Sequence, residues 1–218
     1  MKNIQLILFD FDGTLANTLP AVAAAMQQTF RNHGRTPPPD EAVSGVIGMP
    51  LVECFTTLDP ELPGEEAKAW TDHYRSLYLK YESRIVLYDG AEKVLDALRQ
   101  AKCALAAVSN KSEIALQANA DRLGVSQRCS LLVGEKPGAP TKPDPRVITE
   151  SVLPRFPGVA VDQILMVGDA EWDMALAQNA KTKSALAGWG YGDRAACMRY
   201  APSAVLEDIR ELPGLLGL

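Results

Sequence analysis

Residues 4–15 read Ile-Gln-Leu-Ile-Leu-Phe-Asp-Phe-Asp-Gly-Thr-Leu, an apolar run that stops abruptly at two carboxylates and a glycine. It is too short to span a membrane and ends in turn residues, which predicts a buried strand of a parallel sheet. Such strands are covered by helices on both faces and lose the alternation of half-exposed ones. Open α/β sheets bind ligands outside the carboxyl ends of their strands, and Asp10 and Asp12 leave this strand at that end. Two like charges so close together are costly unless a cation, a proton or a substrate's counter-ion makes use of them. A lone Asp-x-Asp-Gly is also an ordinary polar turn, since both residue types favour turns.

The rest of the chain supplies the sheet. After Leu15 the pattern is helical for some seventy residues. Thr18 stands where it would cap a first helix with Pro20 in its opening turn, and Gly34 with Pro37-Pro38-Pro39 stops it. Two shorter helices follow, over 40–47 and 51–58, and then a longer one from about Gly64. Its Trp70, Tyr74, Leu77, Tyr78 and Tyr81 recur at helical spacing, a pattern of core packing. No strand signal interrupts this block. Alternation of strand and helix resumes at Ile85, with Asp89 as a helix cap and strands expected over 103–108, 131–133, 164–167 and 184–187. A helix is expected from about Asp144, a short apolar segment at Ala204-Val205 and a last helix near Glu207. Alternating strands and helices predict a parallel sheet with right-handed crossovers. Gly188-Trp189-Gly190-Tyr191-Gly192 lacks the following helix of a dinucleotide fingerprint and reads as a surface loop.

Three further edges carry polar or charged groups. Ser109 ends the second core strand, where its hydroxyl and nearby backbone N–H groups can meet an anion. Lys142, in Thr141-Lys142-Pro143-Asp144-Pro145, offers a point charge on a rigid approach. Asp169 closes another strand and can join Asp10 around a hard cation, since magnesium takes one or two carboxylates and keeps several waters. Asp173, one helical turn on, shares that face and can orient Lys142 or a metal-bound water. A capping Ser, a solvated lysine and acidic residues at a helix start are the alternative readings of each.

With 218 residues and 47% hydrophobic content the chain can bury a sizeable core. Its net charge of −5 argues against a general affinity for nucleic-acid polymers or anionic membranes. No signal-like or membrane-spanning stretch is apparent, so a cytoplasmic location is expected. Cys54, Cys103, Cys129 and Cys197 form no Cys-x-x-Cys pair and read as reduced thiols. His33, before Gly34, reads as a favourable contact with a helix C-terminus.

The string Asp10-Phe11-Asp12-Gly13-Thr14-Leu15 resembles the first motif of the haloacid dehalogenase-like superfamily, in its phosphatase branch. Ser109, the Lys-Pro-x-Pro lysine Lys142 and Gly168-Asp169-x-x-x-Asp173 resemble the remaining motifs, in the family's order, across essentially the whole chain. Gly48-Met49-Pro50-Leu51 resembles a cap segment of phosphoglycolate phosphatase-like members, whereas Asn17 departs from the acidic residue often found there. The resemblance implies a Rossmann-like, doubly wound α/β core from residues 1–16 and 86–218, with 17–85 inserted as an all-helical cap. It implies Asp10 as nucleophile, Asp12 as general acid/base and Lys142 as the third catalytic group. Thr14, Ser109, Asn110 and Lys142 would bind phosphate. Asp10, Asp12 through its backbone carbonyl, and Asp169 would hold magnesium, with Asp173 in support.

The implied activity is magnesium-dependent hydrolysis of a small phosphorylated metabolite, phosphoglycolate-like, through an aspartyl-phosphate, by a monomer or homodimer. A phosphosugar mutase of the same family would carry a cap histidine that residues 20–26 lack. A binding protein that kept only the fold would not need both Asp10 and Asp169, and the dehalogenating members lack the second Asp of the first motif.

Overall fold

A computed structural model describes Met1 and residues 3–218. The first apolar run forms β1 (Leu6–Phe9), with all four side chains buried. The chain turns at Gly13, crosses through β2 (Ala16–Asn17) and enters α1 (Leu19–Asn32), α2 (Asp40–Ser44), α3 (Leu51–Leu58) and α4 (Gly64–Tyr81). It returns through β3 (Val86–Leu87) and continues as α5 (Ala91–Gln100), β4 (Ala104–Ser112), α6 (Glu113–Arg122) and β5 (Leu131–Glu135). Then come β6 (Ile164–Gly168), α7 (Glu171–Ala180), β7 (Lys183–Ala187), α8 (Arg194–Met198), β8 (Ala204–Leu206) and α9 (Leu212–Leu216).

The main sheet is parallel throughout, in the order β5-β4-β1-β6-β7-β8. Numbered within the sheet alone this is 3-2-1-4-5-6, the Rossmann order, in which the direction of winding reverses beside the first strand. The reversal falls between β1 and β6, where Asp10 and Asp169 emerge. Successive side chains of β1 point to opposite faces. Ile7 and Phe9 enter the larger core with Leu105, Leu165 and Val167, while Leu6 and Leu8 pack with Val108, Ile148 and Met166. Burying each of these aliphatic side chains contributes about 1.5–3 kcal/mol. Burial on both faces holds β1 rigid under the carboxylates that follow it.

The block between β2 and β3 is helical, as expected, and its aromatic stripe packs inward. Trp70 meets Phe30 and Phe55 edge-on, with ring centroids 5.2 and 5.6 Å apart. His33 stacks on Trp70 at 4.4 Å. Burial first, then neighbouring His73, lowers its pKa, with Glu66 opposing. Among the described residues no helix is long and apolar enough to cross a membrane.

Several local expectations need correcting. The strand signal after Ile85 does not join the main sheet, because β3 pairs antiparallel with β2 to form a two-residue ribbon where the chain enters and leaves the helical block. Gly90, with φ of 85°, is the cap residue of α5, while Asp89 pairs with Arg210. Thr18 occupies the cap position of α1 but makes no side-chain capping bond. The expected helix after Asp144 is π-helical over Val147–Val152. Ala204-Val205 belongs to a sixth strand of the sheet, and the last helix begins only after a 3-10 turn at Ile209–Glu211.

Candidate active site

The Asp10 N–H donates to Val167 O at 2.9 Å, which fixes the residue in the crevice between β1 and β6. At the end of β6 the chain must be glycine, since a Cβ on Gly168 would lie 2.2 Å from Asp173 Cγ. That close approach brings the carboxylates of Asp10, Asp169 and Asp173 within 4.8 Å of one another, all buried. Lys142 Nζ stands 2.8 Å from Asp10 Oδ1 and 2.6 Å from Asp173 Oδ1. The second oxygen of Asp173 accepts the Ala170 N–H at 3.0 Å, so Asp173 serves to hold Lys142.

One ammonium cannot balance three buried carboxylates. Burial chiefly, with the neighbouring carboxylates working against Lys142, pushes the Asp10 carboxyl up to about 8. Burial and Asp173 push Asp169 up to about 6, against its hydrogen bonds from Thr14 and Tyr191. Asp10 Oδ1 has no well-directed hydrogen bond, although Lys142 lies beside it. An all-oxygen cluster of three buried carboxylates sharing one ammonium fits a hard divalent cation.

Two of the expected phosphate contacts are engaged elsewhere. The Thr14 hydroxyl donates to Asp169 Oδ1 at 2.7 Å, so it positions Asp169 and has no donor left for phosphate. Both amide hydrogens of Asn110 are used, on Gly48 O at 2.9 Å and Lys142 O at 3.0 Å, while its Oδ1 accepts the Lys142 N–H at 2.9 Å. Asn110 therefore ties the lysine loop to the helical block, and only its backbone remains for a phosphate. Ser109 is buried beside Lys142, with its oxygen 3.3 Å from the Lys111 N–H.

The glycine-rich loop after β7, read as a surface loop, is exposed at Gly188 and half-buried over 189–192, and it also reaches Asp169. The Tyr191 and Gly192 N–H groups reach Asp169 Oδ2 at 2.8 and 3.3 Å, and the Trp189 indole N–H donates to Thr14 O at 3.0 Å. A Cβ on Gly190 would fall 2.2 Å from Asp169 Cβ, and one on Gly192 would fall 2.0 Å from Asp169 O. Alternate glycines and aromatics directly after a core strand were the available signal.

Asp12 faces another way. Its carboxylate pairs with Lys111 Nζ at 3.1 and 3.3 Å, and that ammonium lies 4.6 Å from the centre of the Tyr78 ring on α4. Burial opposes the charge on Lys111, but Asp12 and Tyr78 raise its pKa overall. The sequence reading gave Tyr78 only as part of a packing stripe and passed over Lys111, which follows Ser109-Asn110 as an ordinary turn residue. The site thus separates a cation-ready carboxylate, Asp10, from a second carboxylate two residues on that is held by a different ammonium.

Residues 7–187 match the family described as haloacid dehalogenase-like hydrolase. The chain belongs to that family. This haloacid dehalogenase-like hydrolase is 31% identical over 195 residues to a phosphoglycolate phosphatase of Xanthomonas campestris pv. campestris, covering 88% of this chain and 86% of the relative. It is 26% identical to the pyrophosphatase PpaX of Anoxybacillus flavithermus, covering 99% of this chain and 98% of that protein. A haloacid dehalogenase-like hydrolase from Streptococcus pneumoniae superposes with a TM-score of 0.88 at 26% identity, over 98% of each chain. The similarities fall in the phosphoglycolate phosphatase-like branch, and the Rossmann-ordered core of this hydrolase is the fold they share.

Proposed function

We propose that this hydrolase is a cytoplasmic, magnesium-dependent phosphatase of small phosphomonoesters that works through an aspartyl-phosphate on Asp10. The observation that carries the reading is the buried Asp10 carboxylate, 2.8 Å from Lys142 Nζ and clustered with Asp169, while Asp12 stands apart beside Lys111. An Asp10 oxygen attacks phosphorus, and the ester P–O bond breaks as Asp12 gives its proton to the departing alkoxide. Asp12 then takes a proton from water as that water attacks phosphorus, and the acyl-phosphate bond breaks to return Asp10. For the first of these transfers the Asp12–Lys111 pair must open and Asp12 must carry a proton, the one that water leaves on it at the end of the preceding turnover. Lys142 and Ser109 face the equatorial oxygens, where electrostatic stabilisation matters most. Magnesium held by Asp10, Asp169 and the Asp12 backbone carbonyl would supply positive charge to those oxygens and keep Asp10 ionised. In this reading the helical block, residues 17–85, acts as the cap over a core of residues 1–16 and 86–218.

The test is phosphate release by the purified protein from phosphoglycolate, pyrophosphate, sugar phosphates and nucleotides, with and without magnesium. Magnesium-dependent release from at least one monoester supports the reading. Full activity in excess chelator, or none on any phosphate ester, contradicts it.

A further inference from the structure

We propose that the preferred substrate is a phosphomonoester with an extended apolar body and no second anionic group. The identity of the reacting group rests on the phosphatase reading; the body is read from the cavity that Asp12 opens into. That cavity has a volume of about 730 Å³ and lies between the helical block and the start of α6. It falls within the range of about 300–1,000 Å³ that suits much larger ligands than a two-carbon acid. Val22, Met26, Val46, Met49 and Tyr74 line its walls. The apolar surface continues outward, since Leu79 and Ile114, exposed by 63% and 85%, form part of its rim.

The charges of the lining point the same way. Its cations Lys111, Arg75 and Lys136 are each already paired, with Asp12 at 3.1 Å, Asp72 at 3.1 Å and Glu113 at 3.2 Å. Lys111 alone of these is buried, and the Asn110 amide beside it has no free donor. Glu82 and Glu135 also line the cavity and, among the described residues, have no ion-pair partner. With Lys111 on Asp12, a substrate carboxylate would meet these acids and could reach the one buried ammonium only by competing with Asp12 for it, whereas an alkyl or aromatic body would displace only water from apolar walls.

The test compares ethyl, butyl and hexyl phosphate, whose leaving groups are chemically alike, with phosphoglycolate, all with magnesium. Values of kcat/KM should rise about three- to fourfold per methylene, so that hexyl phosphate exceeds ethyl phosphate by about 100-fold and phosphoglycolate falls below butyl phosphate. Met49→Lys should flatten the alkyl series and raise phosphoglycolate relative to it. Calorimetric binding of butyl- and hexylphosphonate reads the cavity without turnover. A flat series, or phosphoglycolate ahead of hexyl phosphate, overturns the proposal and leaves the phosphatase reading standing. No phosphate from any ester, with hexylphosphonate still binding more tightly, supports the apolar cavity and overturns the phosphatase reading instead. A flat series with concentration-dependent sedimentation that Ile114→Asp abolishes would assign the cavity rim to a second copy of the chain and overturn the proposal.

Discussion

The Tyr191 hydroxyl donates to Asn17 Oδ1 at 2.7 Å, joining the loop that holds Asp169 to the ribbon where the helical block begins. The Tyr191 hydroxyl oxygen in turn accepts the Thr18 and Leu19 N–H groups at 2.7 and 3.0 Å, so a residue 172 positions from Leu19 does the capping that the Thr18 side chain does not. Tyr191→Phe removes those acceptor contacts while keeping the ring. It should cost about 1–2 kcal/mol, the range for loss of a helix cap, and speed amide exchange in the first turn of α1. Denaturant unfolding and hydrogen exchange check this; unchanged exchange at Thr18 and Leu19 would contradict it.

Lys142→Met leaves three clustered carboxylates without their ammonium. Breaking a buried pair by removing one partner typically costs about 3–5 kcal/mol. Magnesium should therefore stabilise this variant more than it stabilises the wild type, by neutralising the same carboxylates. Phosphatase activity should fall by about 10²–10³, as for loss of one preorganised electrostatic group. Denaturant curves with and without magnesium, together with initial rates, measure both. Equal magnesium stabilisation of variant and wild type would sink this account of the charge balance.

Gly190→Ala should destabilise strongly and disable the site, because its Cβ would meet Asp169 Cβ at 2.2 Å, a contact that cannot be relieved without moving Asp169. Gly64→Ala is the control. Nothing lies within 4 Å of its added Cβ and it opens α4, so its effect should be neutral to favourable, within about 1 kcal/mol. Thermal melts and phosphatase rates distinguish the two, and equal behaviour would contradict the placement of the loop.

Burial pushes the thiols of Cys54 and Cys129 from 9.0 up to about 12. Both should resist alkylation at neutral pH until the protein unfolds. The sign follows from linkage. Folded values raised above unfolded ones contribute stability that is intact below pH 9.0 and lost as pH rises towards about 12. Iodoacetamide labelling of native and unfolded protein tests the first statement, and unfolding curves at neutral pH and above pH 9.0 test the second. Rapid labelling of native Cys54 or Cys129 would contradict the first statement.

The parts legible in the sequence were those written into short strings. β1 and its two carboxylates announce themselves through one apolar run and one turn, and Asp169 with Asp173 through helical spacing after a strand. Contacts that depend on a distant partner were not legible. Thr14 binds Asp169 from 155 positions away, Asn110 spends its amide on Gly48 and Lys142, and Lys111 acquires meaning only when Asp12 and Tyr78 are folded against it. The β2–β3 ribbon has two residues per strand, too few to show a period of two. The loop over 188–192 read as a simple turn because of its glycines; in the structure Gly190 and Gly192 admit Asp169.

The most direct test of the central claim is the site of phosphorylation in Asp12→Asn, which retains the backbone carbonyl and removes the base that water needs. With p-nitrophenyl phosphate and magnesium, whose leaving group requires little protonation, rapid mixing should give a burst of nitrophenolate approaching one equivalent of enzyme, then slow turnover. General-base help is worth about 10²–10⁴, enough for the phosphoenzyme to accumulate. Borohydride reduction followed by peptide mapping should then find homoserine at position 10. No burst and no trapped phosphoenzyme in a variant that still binds magnesium and substrate, or a phosphoryl group on Ser109, Asp169 or Asp173, would contradict the account.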